Sequence, residues 1–238
     1  MGSTRLPGKV LAPLAGRPVL ARIVERLNTV EGLDGAVVLT STLTRDDPIA
    51  AFCDAAGVAL FRGDEADVLD RYQQAALALE PDRIVRITAD CPLVDPEVVG
   101  AVLALANEPG GGDCRYASVA TGALPRSAGY RRFPDGLDAE AFTAAALAEA
   151  WGEATDPFER EHVTPFLWRR PERFGARVLQ AEEDLGDERW TVDHQADLDL
   201  VGHVYERLGD RPFGYRDVVA ALDADPGLRA LNARHRVA

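Results

Sequence analysis

Cysteine is scarce in this sequence, and long apolar runs are missing. The cysteines are Cys53, Cys91 and Cys114. Their odd number and their spacing fit no zinc ligand set and no redox pair, so we expect free thiols, as in a reducing cytosol. No apolar run is long enough to span a bilayer, and no signal peptide is recognisable. The sequence therefore argues against a membrane protein and predicts a cytoplasmic one.

Positive charge is also in short supply, because 26 basic residues face 39 acidic ones and the formal net charge is −13. A field of this sign repels nucleic acid and anionic membranes, so neither is expected as a partner. A nucleotide is not excluded. A few basic side chains in one loop can bind phosphates against an acidic background, especially together with Mg²⁺.

What the sequence does contain is an alternation of strand-like and helix-like segments along its 238 residues. Short alternating units predict βαβ connections and a mostly parallel, doubly wound sheet with helices on both faces, hence an α/β fold in a single domain, 1–238. Predicted helices cover residues 19–30, 47–56, 66–79, 96–106, 138–154, 158–169, 196–208 and 216–223. Predicted strands cover residues 36–40, 58–61, 83–88, 115–119, 175–181 and 190–192. A Gly-rich loop is expected at residues 110–112.

The most informative segment opens the sequence and reads Gly2-Ser3-Thr4-Arg5-Leu6-Pro7-Gly8-Lys9. Glycines let backbone N–H groups approach an anion closely. Arg5 offers a planar fork for phosphate oxygens, and Lys9 offers a mobile point charge. Spacing alone leaves two interpretations equally open, a cradle for a triphosphate and a solvated surface turn.

Two aspartates follow the ends of predicted strands. Asp90 comes after the strand at 83–88, and in open α/β sheets ligands bind at the carboxyl ends of strands. An aspartate there can hold Mg²⁺ beside substrate phosphates, although by itself a helix cap or turn residue is the commoner case. Asp193 comes after the strand at 190–192 and could meet Asp90 at the same edge of the sheet.

A third acidic group, formed by Asp135, Asp138 and Glu140, surrounds Gly136. These carboxylates could orient the hydroxyl groups of an acceptor. They could equally belong to a turn followed by the charged first turn of a helix.

The opening loop and several later segments resemble the cytidylyltransferase family that contains the acylneuraminate and ketodeoxyoctonate CMP-transferases. The loop matches the branch named after spore-coat polysaccharide biosynthesis almost letter for letter. Further similar blocks follow in the family's order and cover nearly the whole chain: residues 61–64, 67–72, 87–96, 133–140, 160–165 and 189–193.

This resemblance implies a fold and a nucleotide site. The fold is that of the nucleotide-diphospho-sugar transferases, a GT-A-like arrangement of the Rossmann type. The implied nucleotide-binding residues are Gly2, Ser3, Thr4, Arg5, Lys9 and Asp90. Arg5 and Lys9 are expected to contact the phosphates as catalytic residues, and Asp90 and Asp193 are expected to share a Mg²⁺ ion.

The resemblance also implies an acceptor side. The candidate acceptor-binding residues are Asp135, Asp138, Glu140, Glu161 and His162. Residues 121–181 form a possible subregion for acceptor binding or dimerisation, and a homodimer fits the family.

The chain departs from the family pattern at its start. Family members have an apolar strand before the glycine loop, in the middle of the sheet, whereas this sequence begins at the loop. We therefore expect the first central strand to be missing from this chain. Such a gap would leave ladder groups of the strands near Val37 and Ile84 unpaired, at about 1–3 kcal/mol for each buried group.

The expected activity is transfer of CMP from CTP to a sugar acid or sugar phosphate, with release of pyrophosphate, in surface or spore-coat polysaccharide biosynthesis. One alternative keeps the fold but uses GTP or another NTP with a sugar 1-phosphate. A second is a GT-A-type glycosyltransferase, for which Asp197-Leu198-Asp199 has the spelling of a metal motif in a helical setting. A third is a non-catalytic relic. The joint presence of the phosphate and metal candidates, Arg5, Lys9, Asp90 and Asp193, argues against it.

Overall fold

The structure is a computed structural model that describes residues 1–108, 113–121 and 129–235. The Gly-rich loop predicted at residues 110–112 lies outside the described residues. Helices and strands alternate along the described part of the chain. The α/β class predicted from the sequence is therefore confirmed.

The elements have the following bounds. The helices are α1 (Val19–Leu27), α2 (Asp47–Ala56), α3 (Val68–Leu79), α4 (Pro96–Ala106), α5 (Ala144–Glu153), α6 (Pro157–His162), α7 (Pro165–Trp168), α8 (Pro171–Phe174), α9 (Gln195–Leu208), α10 (Tyr215–Ala224) and α11 (Pro226–Ala230). The strands are β1 (Pro13–Leu14), β2 (Arg17–Pro18), β3 (Val37–Ser41), β4 (Ala59–Gly63), β5 (Arg83–Arg86), β6 (Tyr116–Val119), β7 (Glu140–Thr143) and β8 (Arg177–Leu179).

The strands form a parallel pair, a four-stranded sheet and a short hairpin. β3 and β4 run parallel, with Val37 opposite Ala59. The four-stranded sheet has the order β5-β7-β6-β8, in which β6 and β8 are parallel and β7 is antiparallel to both of its neighbours. β1 and β2 form the antiparallel hairpin. The parallel pairing expected from the alternation is thus present, and β7 makes the larger sheet mixed.

α4 shows how the sequence sets the bounds of a helix. The Asp95 carboxylate accepts the N–H groups of Glu97 at 2.8 Å and Val98 at 3.3 Å, and so caps the helix. Pro96 suits the first turn, because the N–H that it lacks would have no partner there. Val98 and Val102 are buried in the core. The helix covers the residues predicted for it.

Two of the hydrophobic clusters lie on opposite faces of the four-stranded sheet. One of them includes residues of α4, α9 and α10 and contains the fully buried Trp190. Leu93 and Val192 are also completely buried in this cluster. Since these two residues flank the segments that carry Asp90 and Asp193, packing fixes where both segments lie. The other cluster is formed by residues of α3, α5, α7 and α8 together with β6 and β7.

Three predicted elements differ in the structure. The helix predicted over 138–154 begins only at Ala144, because residues 140–143 form β7 and pair with β5 and β6. The helix predicted over 158–169 is interrupted at Val163, where φ is +71°. Pro165, which follows, has no N–H to continue the helical ladder. Residues 190–192 form no strand; an isolated bridge pairs Asp135 with Arg189 instead.

No helix within the described ranges is long and apolar enough to cross a bilayer. Within the same ranges, β3 and β4 share no ladder with the larger sheet. The expectation that the first central strand is missing stays a prediction.

Candidate active site

The opening loop folds into a tight turn that leads into a 3₁₀ helix, Lys9–Leu11. Gly8 precedes this helix with φ at +74°, a conformation that residues with a Cβ rarely adopt. The Ser3 hydroxyl accepts a backbone N–H three residues further on, at 3.3 Å. Gly2 and Thr4 are exposed in the same loop. The part of these residues in nucleotide binding stays a prediction.

Lys9 binds two carboxylates that are distant in sequence. Its Nζ lies 2.8 Å from Asp90 Oδ2 and 2.8 Å from Asp193 Oδ1, and 13% of its side chain is exposed. Lys9 is the single lysine among the 26 basic residues. Burial alone would lower the pKa of Lys9, but the charges and hydrogen bonds of Asp90 and Asp193 outweigh it and raise the pKa above its ordinary value. A charged ammonium is therefore fixed between the two aspartates.

Backbone contacts explain why the two aspartates meet. Asp90 lies in the loop after β5, and its carbonyl accepts the N–H of Val192 at 2.7 Å. The Thr191 hydroxyl reaches the same carbonyl at 3.4 Å. These contacts hold the segment that ends in Asp193 against Asp90. The structure thus brings the two residues together at one place, as the sequence suggested, while their part as metal ligands stays a prediction.

Arg5 joins the same group from the opening loop. Its Nη2 lies 2.8 Å from Asp193 Oδ1, and 57% of its side chain is exposed. Burial raises the pKa of Asp193, but the hydrogen bond and charge of Lys9, with help from Arg189 and Arg5, outweigh burial and lower this pKa to about 2. Asp193 is therefore ionised over the whole neutral range.

Arg189 is the site residue that sequence reasoning missed. Its guanidinium nitrogens lie 2.8 Å from Asp193 Oδ2 and 2.8 Å from Asp135 Oδ2. The backbone supports this bridge, because the Trp190 N–H donates to the Asp135 carbonyl at 2.6 Å and the Asp135 N–H donates to the Glu188 carbonyl at 3.0 Å. The available signal was that Arg189 opens the last of the family-like blocks. Its pairing with Asp135 spans 54 positions and becomes visible only in the fold.

Asp135 is the second carboxylate that Arg189 binds. Burial, followed by the charge of Asp138, raises the pKa of Asp135 to about 6, even though Arg189 acts in the opposite direction. Asp138 accepts hydrogen bonds from the Thr121 hydroxyl at 2.8 Å and the Gly136 N–H at 3.0 Å. Burial also raises the pKa of Asp138. Asp135 thus pairs with Arg189, and Asp138 is hydrogen-bonded to the turn at Gly136.

The other acceptor candidates lie in different surroundings. Glu140, in β7, accepts hydrogen bonds from Arg86 and Tyr116 at 2.7 Å each and so links three neighbouring strands. Glu161 and His162 are exposed on α6. The described ion pairs of the aspartates include neither of them. A role for these three residues in acceptor binding stays a prediction.

The Asp-x-Asp spelling at residues 197–199 lies in the first turns of α9. Asp197 is completely buried, and its Oδ2 accepts the N–H groups of Asp193 at 3.1 Å and His194 at 2.9 Å. Asp199 accepts a hydrogen bond from Gln195 on the helix surface. Asp197 therefore fixes the backbone at Asp193, which is not what a metal motif of a glycosyltransferase would do.

Known proteins are similar to this chain over most of its length. A family model described as cytidylyltransferase matches residues 1–207. The spore coat polysaccharide biosynthesis protein SpsF of Bacillus subtilis is 32% identical, over 95% of this chain and 92% of that protein. A 3-deoxy-manno-octulosonate cytidylyltransferase of an Anaeromyxobacter species is 33% identical, over 87% of this chain and 88% of that protein.

A solved structure agrees with these relatives. The structure of a cytidylyltransferase from Leptospira borgpetersenii matches with a TM-score of 0.86 and 29% identity, covering 96% of this chain and 92% of that one. The family model, the relatives and this structure point the same way as the resemblance seen in the sequence blocks. The chain belongs to the cytidylyltransferase family.

Proposed function

We propose that this nucleotidyltransferase transfers CMP from CTP to a hydroxyl group of a sugar acid, releases pyrophosphate and uses Mg²⁺. The observation that carries the proposal is that Lys9 and Arg5 meet Asp90 and Asp193, with each contact at 2.8 Å. Two cations, which suit phosphates, therefore lie next to two carboxylates, which suit a metal.

The names of the relatives support the substrates. One relative is named for 3-deoxy-manno-octulosonate, which is a sugar acid, and another for spore coat polysaccharide biosynthesis. We extend both to this chain, so that the acceptor is a sugar acid and the product serves surface or spore-coat polysaccharide biosynthesis in the cytoplasm.

Arg5 and Lys9 supply the positive charge for the phosphates. The Arg5 side chain is more than half exposed, so its guanidinium can exchange a carboxylate for phosphate oxygens and bind them through two N–H groups. Lys9 is more buried and offers a point charge beside the two aspartates. Together they would stabilise the negative charge that develops on the departing pyrophosphate.

Mg²⁺ fits the donor set of Asp90 and Asp193. Magnesium in nucleotide sites is held by one or two carboxylates together with substrate phosphates and water. One oxygen of each aspartate lies 2.8 Å from the same Lys9 nitrogen, so the two oxygens lie within twice that distance of one another. No group of three or more acidic, His or Cys ligands is present in the described residues, so the nucleotide would have to complete the coordination. A bound ion would neutralise charge on the phosphates.

In the proposed reaction the acceptor oxygen forms a bond to the α-phosphorus of CTP. The bond from this phosphorus to the oxygen that bridges the α- and β-phosphates breaks, and pyrophosphate leaves with that electron pair. The acceptor hydroxyl also loses its proton. We assign this proton to Asp135. One guanidinium, that of Arg189, binds both Asp135 and Asp193 and so holds the Asp135 carboxylate close to the proposed metal ligand. With a pKa of about 6, Asp135 is mostly ionised at neutral pH and can accept the proton.

Pyrophosphate release tests the proposal. It is measured for each of the four NTPs with sugar acids and with sugar phosphates, in the presence of Mg²⁺. We expect release with CTP and a sugar acid, and none when EDTA removes the metal. Release only with another NTP and a sugar 1-phosphate would contradict the substrate assignment, and activity in EDTA would contradict the metal.

A further inference from the structure

Residues beyond the family match reach the Asp193 site. The family model ends at residue 207, and Asn232 lies after α11, completely buried. Its Nδ2 donates to the Arg189 carbonyl at 2.8 Å and to Asp197 Oδ1 at 3.0 Å. Both partners can only accept hydrogen bonds here, which fixes the orientation of the Asn232 amide.

The two partners of Asn232 are the residues that hold Asp193. Asp197 Oδ2 accepts the N–H groups of Asp193 and His194 and so fixes the backbone. Arg189 donates to Asp193 Oδ2 at 2.8 Å and so orients the carboxylate. Arg189 Nε also lies 3.5 Å from Asp197 Oδ1, an ion-pair distance without hydrogen-bond geometry. A single amide therefore touches both supports of Asp193.

The segment that carries Asn232 has anchors of its own. Arg229 Nε lies 2.6 Å from Glu188 Oε1, next to Arg189 in the chain. The Asp225 side chain accepts the N–H of Gly227 at the start of α11. α11 also packs against α9 and α10. These contacts place Asn232 at the site independently of its own hydrogen bonds.

We infer that Asn232 is a positioning residue of the active site, which holds Arg189 and Asp197 so that the Asp193 carboxylate faces Lys9. Its effect on turnover rests on the proposed function. Its effect on the contact between Lys9 and Asp193 does not. A purely structural role would lower stability without changing that contact.

The variant Asn232→Leu tests the inference, because leucine has a similar shape and no N–H donor. Lys9 is the single lysine, so protein labelled with ε-¹³C-lysine gives one NMR signal, from the site itself. We expect Asn232→Leu to shift or broaden this signal. We also expect the Asp193 and His194 amides to exchange hydrogen about tenfold faster, because the acceptor that protects them is no longer held.

The matched control is Val218→Ala, which removes packing from the buried face of α10 without touching the polar contacts. It should lower stability while the Lys9 signal and both amides remain as in the wild type. Asn232→Ser, which keeps one donor, should give intermediate changes, and it replaces the leucine variant if that variant does not fold.

Turnover gives a separate readout. In Asn232→Leu, kcat for CMP transfer should fall about 10- to 100-fold, with a smaller change in KM for CTP. The reason is that the variant displaces Asp193, whereas the cations proposed to bind the phosphates remain. The inference is overturned if the Lys9 signal and both amides in Asn232→Leu match the wild type, or if Val218→Ala changes them equally. A wild-type protein without CMP transfer would remove the proposed function, while the NMR comparison would still decide the role of Asn232.

Discussion

Lys9 is the residue on which the charge balance of the site depends, since it is the cation that Asp90 and Asp193 share. In Lys9→Met the carboxylates lose this cation, and the proposed contact with the phosphates is removed. We predict that kcat/KM for CMP transfer falls at least about 100-fold, as for the loss of one group that stabilises developing charge. Pyrophosphate release at low CTP concentration measures this change.

The control for Lys9→Met is Arg17→Met, which removes an exposed cation paired with Glu25 at the surface. Exposed ion pairs contribute about 0–1 kcal/mol to stability, so activity and stability should stay near those of the wild type. Wild-type turnover in Lys9→Met would refute the assignment of Lys9 to the phosphates.

Asp135 gives the molecule a pH dependence of known sign. Its pKa in the folded protein is about 6, above the ordinary value for aspartate, so the folded state binds this proton more tightly than the unfolded state. The contribution of Asp135 to the free energy of unfolding should therefore fall as pH rises from about 4 to about 6, by at most about 3 kcal/mol. Urea unfolding at several pH values measures this contribution, because Asp135→Asn should lose less stability, or gain more, over this range than the wild type. The same change with pH in the two proteins would disprove the contribution of Asp135.

Single residues also show where reasoning from sequence stops. Arg5, Lys9 and Asp90 stand in blocks whose chemistry can be read locally, from glycines, cations and a strand end. Arg189 and Asn232 could not be identified in this way, because their roles come from partners that lie 54 and 43 positions away in the chain. Only packing brings these partners into contact.

At the scale of elements, local signals decide some outcomes and tertiary pairing decides others. α4 follows from a capping aspartate, a proline in the first turn and apolar residues at helical spacing. β7 does not follow from its sequence, because the alanine-rich run over 138–154 favours a helix. Its backbone groups instead pair with β5 and β6 on both sides, and that pairing outweighs intrinsic propensity.

The turn at Gly136 holds two elements of the site together. A Cβ at this position would lie 2.5 Å from the Thr191 nitrogen, and φ is +107°. Gly136→Ala should therefore displace the segment that leads to Asp193 and destabilise the protein by at least about 1–3 kcal/mol. Chemical denaturation measures this loss, and turnover should fall with it.

Gly100→Ala is the matched control, because Gly100 lies inside α4 and a Cβ there would meet nothing within 4 Å. This variant should be about 0.5–1 kcal/mol more stable than the wild type. A Gly136→Ala protein as stable as the wild type would show that the turn does not hold the segment in place.

At the scale of the whole molecule, three segments distant in sequence form the site: the opening loop, the loop after β5, and the segment before α9. The order of the family-like blocks predicted the fold, and the opening loop and the blocks at 87–96 and 189–193 mark these three segments. It could not predict their mutual distances, which depend on the backbone contacts of Asp90 and Asp135. The homodimer and the use of residues 121–181 in it stay predictions.

We propose that Lys9 and the two aspartates form the site for CTP and Mg²⁺. The most direct measurement is an NMR titration of ε-¹³C-lysine-labelled protein, in which the lysine signal comes from Lys9 alone. CTP with Mg²⁺ should shift this signal to saturation, and in folded Asp90→Asn and Asp193→Asn the shift should no longer depend on Mg²⁺. A Lys9 signal that does not respond to CTP and Mg²⁺ in the folded wild-type protein would contradict the claim.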